Sequence, residues 1–207
     1  QEARTLQIYG QEERQARRIV IAGGGNVGLY LARSLEKLQP NTRVTVIEQS
    51  RERAVRIAEQ LDRVVVLHGS ALSEDMLREA DMVIAVTLHD EVNMVACQVA
   101  HTLFSVPTRI ARVRAQSYLD KKYGKLFSRE SMAIDHIISP EIEVGNTILR
   151  RLELPGAFDS ASFADHEVVA VGVSCGPDCP VLNTPLQQLS ELFPDLPAVV
   201  VTVVRQG

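Results

Sequence analysis

Tryptophan is absent from this chain, and aromatic residues make up only 4% of its 207 positions. A surface that stacks bases or sugar rings draws on such side chains, so an aromatic platform for nucleic acid or carbohydrate is excluded. Basic residues are also scarce relative to acids. The 22 Lys and Arg stand against 26 Asp and Glu, a formal net charge of −4, where a nucleic-acid partner would need a basic face. No apolar run approaches the roughly 20 residues that span a bilayer, and the opening Gln-Glu-Ala-Arg lacks signal-peptide character. Three cysteines, an odd number without an export signal, suggest reducing surroundings rather than a disulfide framework. Hydrophobic content of 45% and charged content of 23% are ordinary for a globular protein, with room for one full domain and a small second one.

What the chain does have is Gly23-Gly24-Gly25-Asn26-Val27-Gly28, directly behind the apolar Arg18-Ile19-Val20-Ile21-Ala22 and ahead of a helical pattern. This is G-x-G-x-x-G between a strand and a helix. Gly23 allows the tight turn, Gly25 lets backbone approach a phosphate, and Gly28 lets helix and strand pack closely. Asn26 and Val27 supply the first helical N–H groups, which face an anion. A second strand, Arg43 to Ile47, ends at Glu48, 20 positions after Gly28. An acid there accepts hydrogen bonds from a ribose 2′-OH and repels a 2′-phosphate. The pattern predicts binding of an adenine nucleotide diphosphate moiety, NAD(H) or ATP/ADP. Glu48 does not separate these, since all carry the 2′-OH.

Further along, Arg51 to Leu61 places Ala54, Ile57, Ala58 and Leu61 at helical spacing. Val64 to Ser70 reads as a buried third strand, and Ser73 as the N-cap of a helix over 74–80. Asp81 to Thr87 is a fourth strand, reached from that helix without a visible turn. Asp90 could cap a helix from Glu91 to Phe104, with Val92, Val95, Ala96, Val99 and Leu103 facing inward. Thr108 to Val113 and Ala133 to Ile138 complete six strands, and Glu141 to Glu153 is an amphipathic helix closed by Pro155-Gly156. Strands alternating with helices call for parallel pairing, the Rossmann doubly wound pattern. Beyond Gly156, strand-like Glu167–Val173 and Ala198–Val204 flank a short helix, Pro185 to Leu192. The expected fold class is therefore α/β, a Rossmann sheet followed by a small α+β domain, apparently truncated. Expected boundaries are a lead-in over 1–16, the nucleotide-binding domain over 17–139, a crossover helix and linker over 140–156, and a partial small domain over 157–207.

Other candidates have plain alternatives. Asp90 and Asn93 stand where a helix is capped. Arg112 and Arg114, two positions apart at the end of the fifth strand, project to one side and suit bidentate phosphate binding, or else form surface ion pairs. His136 reads as structural, and His68, His89, His101 and His166 show no metal-ligand spacing. Cys175-Gly-Pro-Asp-Cys179 lacks the second pair of a zinc site, and Cys97 reads as core. No metal and no catalytic constellation are expected. The alternative of an NAD-dependent oxidoreductase needs a substrate domain, for which the residues after Gly156 are too few.

These residues resemble the KTN/RCK regulators of potassium transport. The likeness is carried by Ile21 to Gly28, Val46-Ile47-Glu48, Leu67-His68-Gly69-Ser70-Ala71 and Asp81 to Thr87. It continues through Asp90-Glu91-Val92-Asn93, Arg109 to Arg114 and Asp135 to Glu141, and so covers most of residues 17–155. After residue 156 it weakens, though Pro180 to Leu186 looks like the start of the small C-terminal subdomain. The resemblance implies a nucleotide pocket that includes Gly69, Ser70 and Ala71, with Thr87 and Asp90 in its lining. It also implies an arginine of the Arg112/Arg114 pair at the phosphate end. Ser70 stands where relatives often have an acid, so its hydroxyl or backbone would make the contact. By the same resemblance this chain is one of two tandem units. The family implies a cytoplasmic regulatory subunit, peripheral to the inner face of the membrane. Its partner would be a membrane potassium-transporter subunit of the TrkH/TrkG kind, and it would self-associate as a dimer or tetramer. A ligand-free dimerisation domain is the third reading.

Overall fold

In a computed structural model, residues 16–71, 77–128, 131–163, 167–192 and 198–205 are described. Six parallel strands form one sheet: β1 (Arg18–Ala22), β2 (Arg43–Glu48), β3 (Val65–His68), β4 (Met82–Ala85), β5 (Thr108–Arg112) and β6 (His136–Ile138). Their order is β3-β2-β1-β4-β5-β6. The first crossover helix, α1 (Asn26–Leu38), and the second, α2 (Arg51–Ala58), cover one face. Ile19, Ile21, Val44 and Val46 pack there with Ala32, Ile57 and Leu61. The alternate residues of β1, Val20 and Ala22, belong to cores on the other face, which include Ala96, Cys97 and Ala100 of α3 (Asp90–Phe104). Two buried faces explain why the central strands are continuous apolar runs. The chain reverses direction of winding between β1 and β4, so the crevice at their carboxyl ends is where such sheets take ligands.

Several expectations change. The third strand is an edge strand with Val65 47% exposed, not a buried one. The inward face of α3 is built from Asp90, Asn93, Met94, Ala96, Cys97 and Ala100, while Val92, Val95 and Leu103 are exposed. Ala96 is buried and Val99 packs against the core as expected, but the rest of the apolar spacing misleads, because small and polar residues fill the space over β4 and β5. Ala58 is likewise exposed. Ser73 and the start of its predicted helix lie outside the described residues, as does the lead-in over 1–15. The abrupt connection into β4 is closed by a short turn: Ala80 N–H donates to the Leu77 carbonyl at 3.2 Å, and Leu77 and Ala80 are both buried. Asp81 then accepts the N–H groups of Arg17 and Arg18 at 3.0 and 2.8 Å, which ties the start of β4 to the start of β1.

A buried ion pair secures the far side of the sheet. Arg109, 3% exposed, meets Asp135 at 2.8 Å, and its Nε donates to the Ala133 carbonyl. A short helix α4 (Gln116–Leu119) and a 3-10 segment over Lys121–Phe127 lead to β6.

The chain divides into two compact units after Gly145, within α5 (Pro140–Glu153). In the second unit, β7 (Ala157–Phe163) pairs antiparallel with β8 (Val168–Val173), and α6 covers Leu186–Leu192. Strand β7 was not expected, and residues 198–205 form no strand, so the predicted strand over 198–204 is corrected.

Candidate functional site

The loop from β1 into α1 is shaped by contacts that a Cβ would violate at three of its four glycines. Gly23 has φ +111°, a region that favours glycine, and a Cβ there would stand 2.9 Å from the Thr87 nitrogen. At Gly24 it would meet the Ile57 Cδ1 at 2.3 Å and Glu48 Oε2 at 3.1 Å. At Gly28 it would lie 1.9 Å from the Gly23 carbonyl oxygen, a backbone atom that cannot step aside. Gly25 differs. Nothing lies within 4 Å of its ideal Cβ, and its φ of −69° suits any residue. The protein's own packing therefore gives no reason for glycine at 25.

The helix behind the loop begins with unsatisfied donors. Leu29 N–H is the first to reach an intrahelical acceptor, the Gly25 carbonyl at 2.9 Å. The N-cap makes no side-chain hydrogen bond and no acid stands in the first turn of α1. By contrast α2 is capped by Ser50 Oγ, which accepts from Arg53 N–H, and has Glu52 in its first turn. Asn26 and Val27 are exposed beside the half-buried Gly25. An uncapped helix N-terminus with open space before it suits the negative charge of a phosphate.

Glu48 is 5% exposed at the end of β2, not a solvated strand end. Its Oε2 accepts the Gly24 N–H at 2.9 Å and its Oε1 accepts the Ser50 N–H at 2.8 Å. Arg53 approaches Oε1 at 3.5 Å. The carboxylate thus stands against the glycine loop and also holds it in place. Neither the bond to Gly24 nor the proximity of Arg53 was anticipated; the first follows from the parallel register of β1 and β2, which sets Ala22 beside Ile47, and the second from folding α2 back over β2. Beside it, Gly69 N–H donates to the Glu48 carbonyl at 3.0 Å, which brings Gly69 and the exposed Ser70 to the same sheet edge, while Ala71 packs into the core under α3.

At the other side of the loop the ends of β4 and β5 are clasped by one amide. Asn93 is fully buried; its Oδ1 accepts the Thr87 N–H and hydroxyl at 2.8 and 2.7 Å. Its Nδ2 donates to the carbonyls of Thr87 and Arg112 at 3.3 and 2.9 Å. So Asn93 joins two strands and does not cap a helix. Asp90 is not the N-cap either, since His89 occupies that position. Its Oδ2 accepts the N–H groups of Arg114 and Ala115, both at 2.8 Å. Its Oδ1 faces Arg114 Nε at 3.5 Å, an ion-pair distance without a hydrogen bond. Arg114 also donates to the Leu88 carbonyl. Strand β5 stops at Arg112, so alternation no longer governs where Arg114 points, and the two arginines have different surroundings. Arg112 shares its strand face with Ile110, which packs into the core beneath α1. Arg112 Nε is buried and has no hydrogen-bond partner among the described residues.

Burial alone would push Asp90 up, but the Ala115 and Arg114 amides and the Arg114 guanidinium outweigh it and hold the carboxyl below its usual range. A group lowered on folding contributes stability that is complete above its unfolded value, about 3.9, and is lost as pH falls through the folded value. Acid unfolding followed by circular dichroism should therefore steepen below about pH 4, and Asp90→Asn should flatten that limb. An unchanged acid limb in the variant would count against the clasp.

The site's groups fit a nucleotide with a 2′-OH: open space at Gly25, free amides at α1 and an orphaned arginine nitrogen on β5 as donors, and the Glu48 carboxylate at β2 as acceptor. Among the described residues no group of three or more His, Cys, Asp or Glu could hold a metal.

Comparison with known proteins places the chain in a family. The TrkA-N domain model matches residues 19–140. The Trk system potassium uptake protein TrkA of Azorhizobium caulinodans is 53% identical over 194 residues, 92% of this chain and 42% of that protein. The Haemophilus influenzae TrkA is 37% identical over 195 residues, with the same coverage of 92% and 42%. The chain thus spans less than half the length of the curated relatives it matches. Among solved structures, the TrkA-N domain of the Escherichia coli inner membrane protein YbaL superposes with a TM-score of 0.54 at 21% identity, covering 68% of this chain and 99% of that one. The GsuK channel bound to NAD gives a TM-score of 0.51 at 21% identity, over 74% of this chain and 26% of that one. At such identity these two speak for the fold alone. The family model covers residues 19–140, all of the six-stranded sheet but its first residue and more than half of the chain, and on that ground the chain belongs to the TrkA-N domain family.

Proposed function

We propose that this chain is a nucleotide-binding regulatory unit of a potassium uptake system, taking NAD(H) or ATP/ADP in the glycine loop. The observation that carries this reading is Gly25, whose missing Cβ leaves open space that the protein does not use. In this reading the phosphates lie over Gly23, Gly25 and the amides of Asn26, Val27 and Gly28. Glu48 accepts the ribose hydroxyls, the backbone at Gly69, Ser70 and Ala71 borders the adenosine, and Arg112 reaches the phosphate end. Thr87, Asp90 and Arg114 act behind the pocket, holding the ends of β4 and β5 at the right height. The relatives named Trk potassium uptake proteins support potassium transport, and the GsuK channel, alike in fold, is one that is bound to NAD.

The nucleotide is a signal rather than a reactant. A ligand shifts a conformational equilibrium by its differential affinity for two states, and such a shift biases a transporter that the unit contacts. The unit acts as a dimer or larger assembly at the cytoplasmic face of the membrane, held there by a potassium-transporter subunit. Among the described residues no helix is long and apolar enough to cross a membrane. The domain division is read as a nucleotide-binding part over 17–139, a crossover over 140–156 and a small domain over 157–207.

Calorimetric titration with NADH, NAD⁺, ATP and ADP in turn tests the reading. Saturable binding of at least one, with a tenfold or larger difference between two of them (about 1.4 kcal/mol), identifies the signal. Absence of binding by all four overturns it.

A further inference from the structure

Glu48 is held from the side of β3 as well as by the glycine loop. The parallel register sets it opposite His68, and the Gly69 N–H donates to the Glu48 carbonyl at 3.0 Å. The His68 ring then reaches the next carbonyl along β2's exit, its Nε2 standing 3.1 Å from the Gln49 oxygen. A carbonyl oxygen only accepts, so Nε2 carries the proton of this contact. His68 is exposed on an edge strand, and the ring fills no part of the core.

The Gln49 oxygen belongs to the same peptide group as the Ser50 nitrogen. That group donates its N–H to Glu48 Oε1 at 2.8 Å. One rigid plane is therefore gripped at both ends, by His68 at its oxygen and by the Glu48 carboxylate at its hydrogen. The plane cannot turn about its flanking bonds without straining both contacts, so the ring fixes the direction from which Oε1 is approached. A donor on the carbonyl also polarises the peptide and makes its N–H the stronger donor. Oε2 is held separately, by the Gly24 N–H at 2.9 Å. With one amide on each oxygen the carboxylate has a set orientation, and each oxygen keeps capacity for a further hydrogen bond.

We infer, resting on the reading of this loop as a nucleotide site, that His68 is a positioning residue for ribose recognition. Through the Gln49–Ser50 peptide it orients the Glu48 carboxylate toward the 2′-hydroxyl of the nucleotide. Its contribution is confined to the hydroxyl that Glu48 accepts, and needs no contact between the imidazole and the ligand. Preference for a ribose over a 2′-deoxyribose thus depends on an exposed histidine of the neighbouring strand.

ADP and 2′-deoxy-ADP, which differ only in that hydroxyl, are the probes. Calorimetry gives the ratio of their affinities for the wild type, His68→Ala, His68→Gln and His68→Asn. The wild type should prefer ADP. His68→Ala should lower that preference about three- to tenfold by weakening ADP, with 2′-deoxy-ADP little changed. His68→Gln, whose amide nitrogen takes the place of Nε2, should restore it; His68→Asn, too short to reach the Gln49 carbonyl, should not. In the ligand-free protein the Ser50 amide proton resonance should move upfield in His68→Ala and return in His68→Gln. An equal loss for both probes, an unchanged preference in His68→Ala or an unmoved Ser50 resonance would each overturn the role of His68 and leave the nucleotide reading standing. A wild type that binds neither probe would overturn the nucleotide reading itself, and the role of His68 with it.

Discussion

Gly25→Val is expected to abolish nucleotide binding, a loss of about 100-fold or more in affinity (about 2.7 kcal/mol), while the protein stays folded. The side chain enters space that no protein atom uses, and the backbone at φ −69° accepts it. What it costs the fold is a less favourable N-cap, about 1 kcal/mol, or about 2–4 °C in Tm for a chain of this size. Gly28→Ala reverses the pattern. A single methyl group 1.9 Å from the Gly23 carbonyl must push α1 off β1, at about 3 kcal/mol and a Tm fall of about 6–12 °C. Thermal melting and calorimetry on both variants separate a glycine needed by the ligand from a glycine needed by the fold. Unchanged affinity in Gly25→Val would refute the assignment of the loop.

Glu48→Ala carries the second large effect, and here stability and binding fall together. Removing the carboxylate leaves the buried Gly24 N–H and the Ser50 N–H without their acceptor, at about 2–4 kcal/mol for the two. The ribose contact is lost as well, a further 1–3 kcal/mol, or about 5- to 150-fold in affinity. Glu48→Gln distinguishes the roles, because an amide oxygen can still accept from Gly24 while the charge on the ribose acceptor is gone. The Ser50 N–H then faces an amide nitrogen that cannot accept, so the expected result is a Tm between wild type and Glu48→Ala, with weakened binding. If Gln restores full affinity, the charge of Glu48 does no work on the ligand.

The portion of the molecule legible in the sequence is the portion fixed by local geometry. The β1–loop–α1–β2 unit could be read because a tight turn, a close backbone approach and a strand end each restrict residue type at one position. Its two strands, Arg18–Ala22 and Arg43–Glu48, stand where the sequence puts them, whereas the end of α1 at Leu38 has no marker in the sequence reading. The face of α3 could not be read from its valines, because the helix seats itself on Asn93, Ala96, Cys97 and Ala100, small or hydrogen-bonded residues that hydrophobic spacing does not count. Strand β7 has the sequence AFDSASF, with no β-branched residue; it is a strand because Val168–Val173 lies beside it. Residues 198–205 give the converse case, a valine-rich segment that pairs with no strand among the described residues and so forms none there, since β propensity expresses itself through pairing. At the site, the separate surroundings of Arg112 and Arg114 and the double duty of Glu48 depend on contacts between residues more than 20 positions apart. No periodicity contains them.

The most direct test of the central claim is a map of backbone amide shifts, recorded by ¹⁵N-correlated NMR as NADH is titrated into the protein. The account predicts that the largest saturable shifts fall on Gly25, Asn26, Val27 and Gly28, the donors of the uncapped α1 terminus, with smaller ones at Gly24 and Gly69 beside Glu48. A cavity of about 430 Å³ at the opposite, amino-terminal end of β1 and β2, lined by Arg17, Gln39, Asn41 and Thr42, serves as the internal control. Shifts concentrated there, with the glycine loop unmoved, would contradict the account.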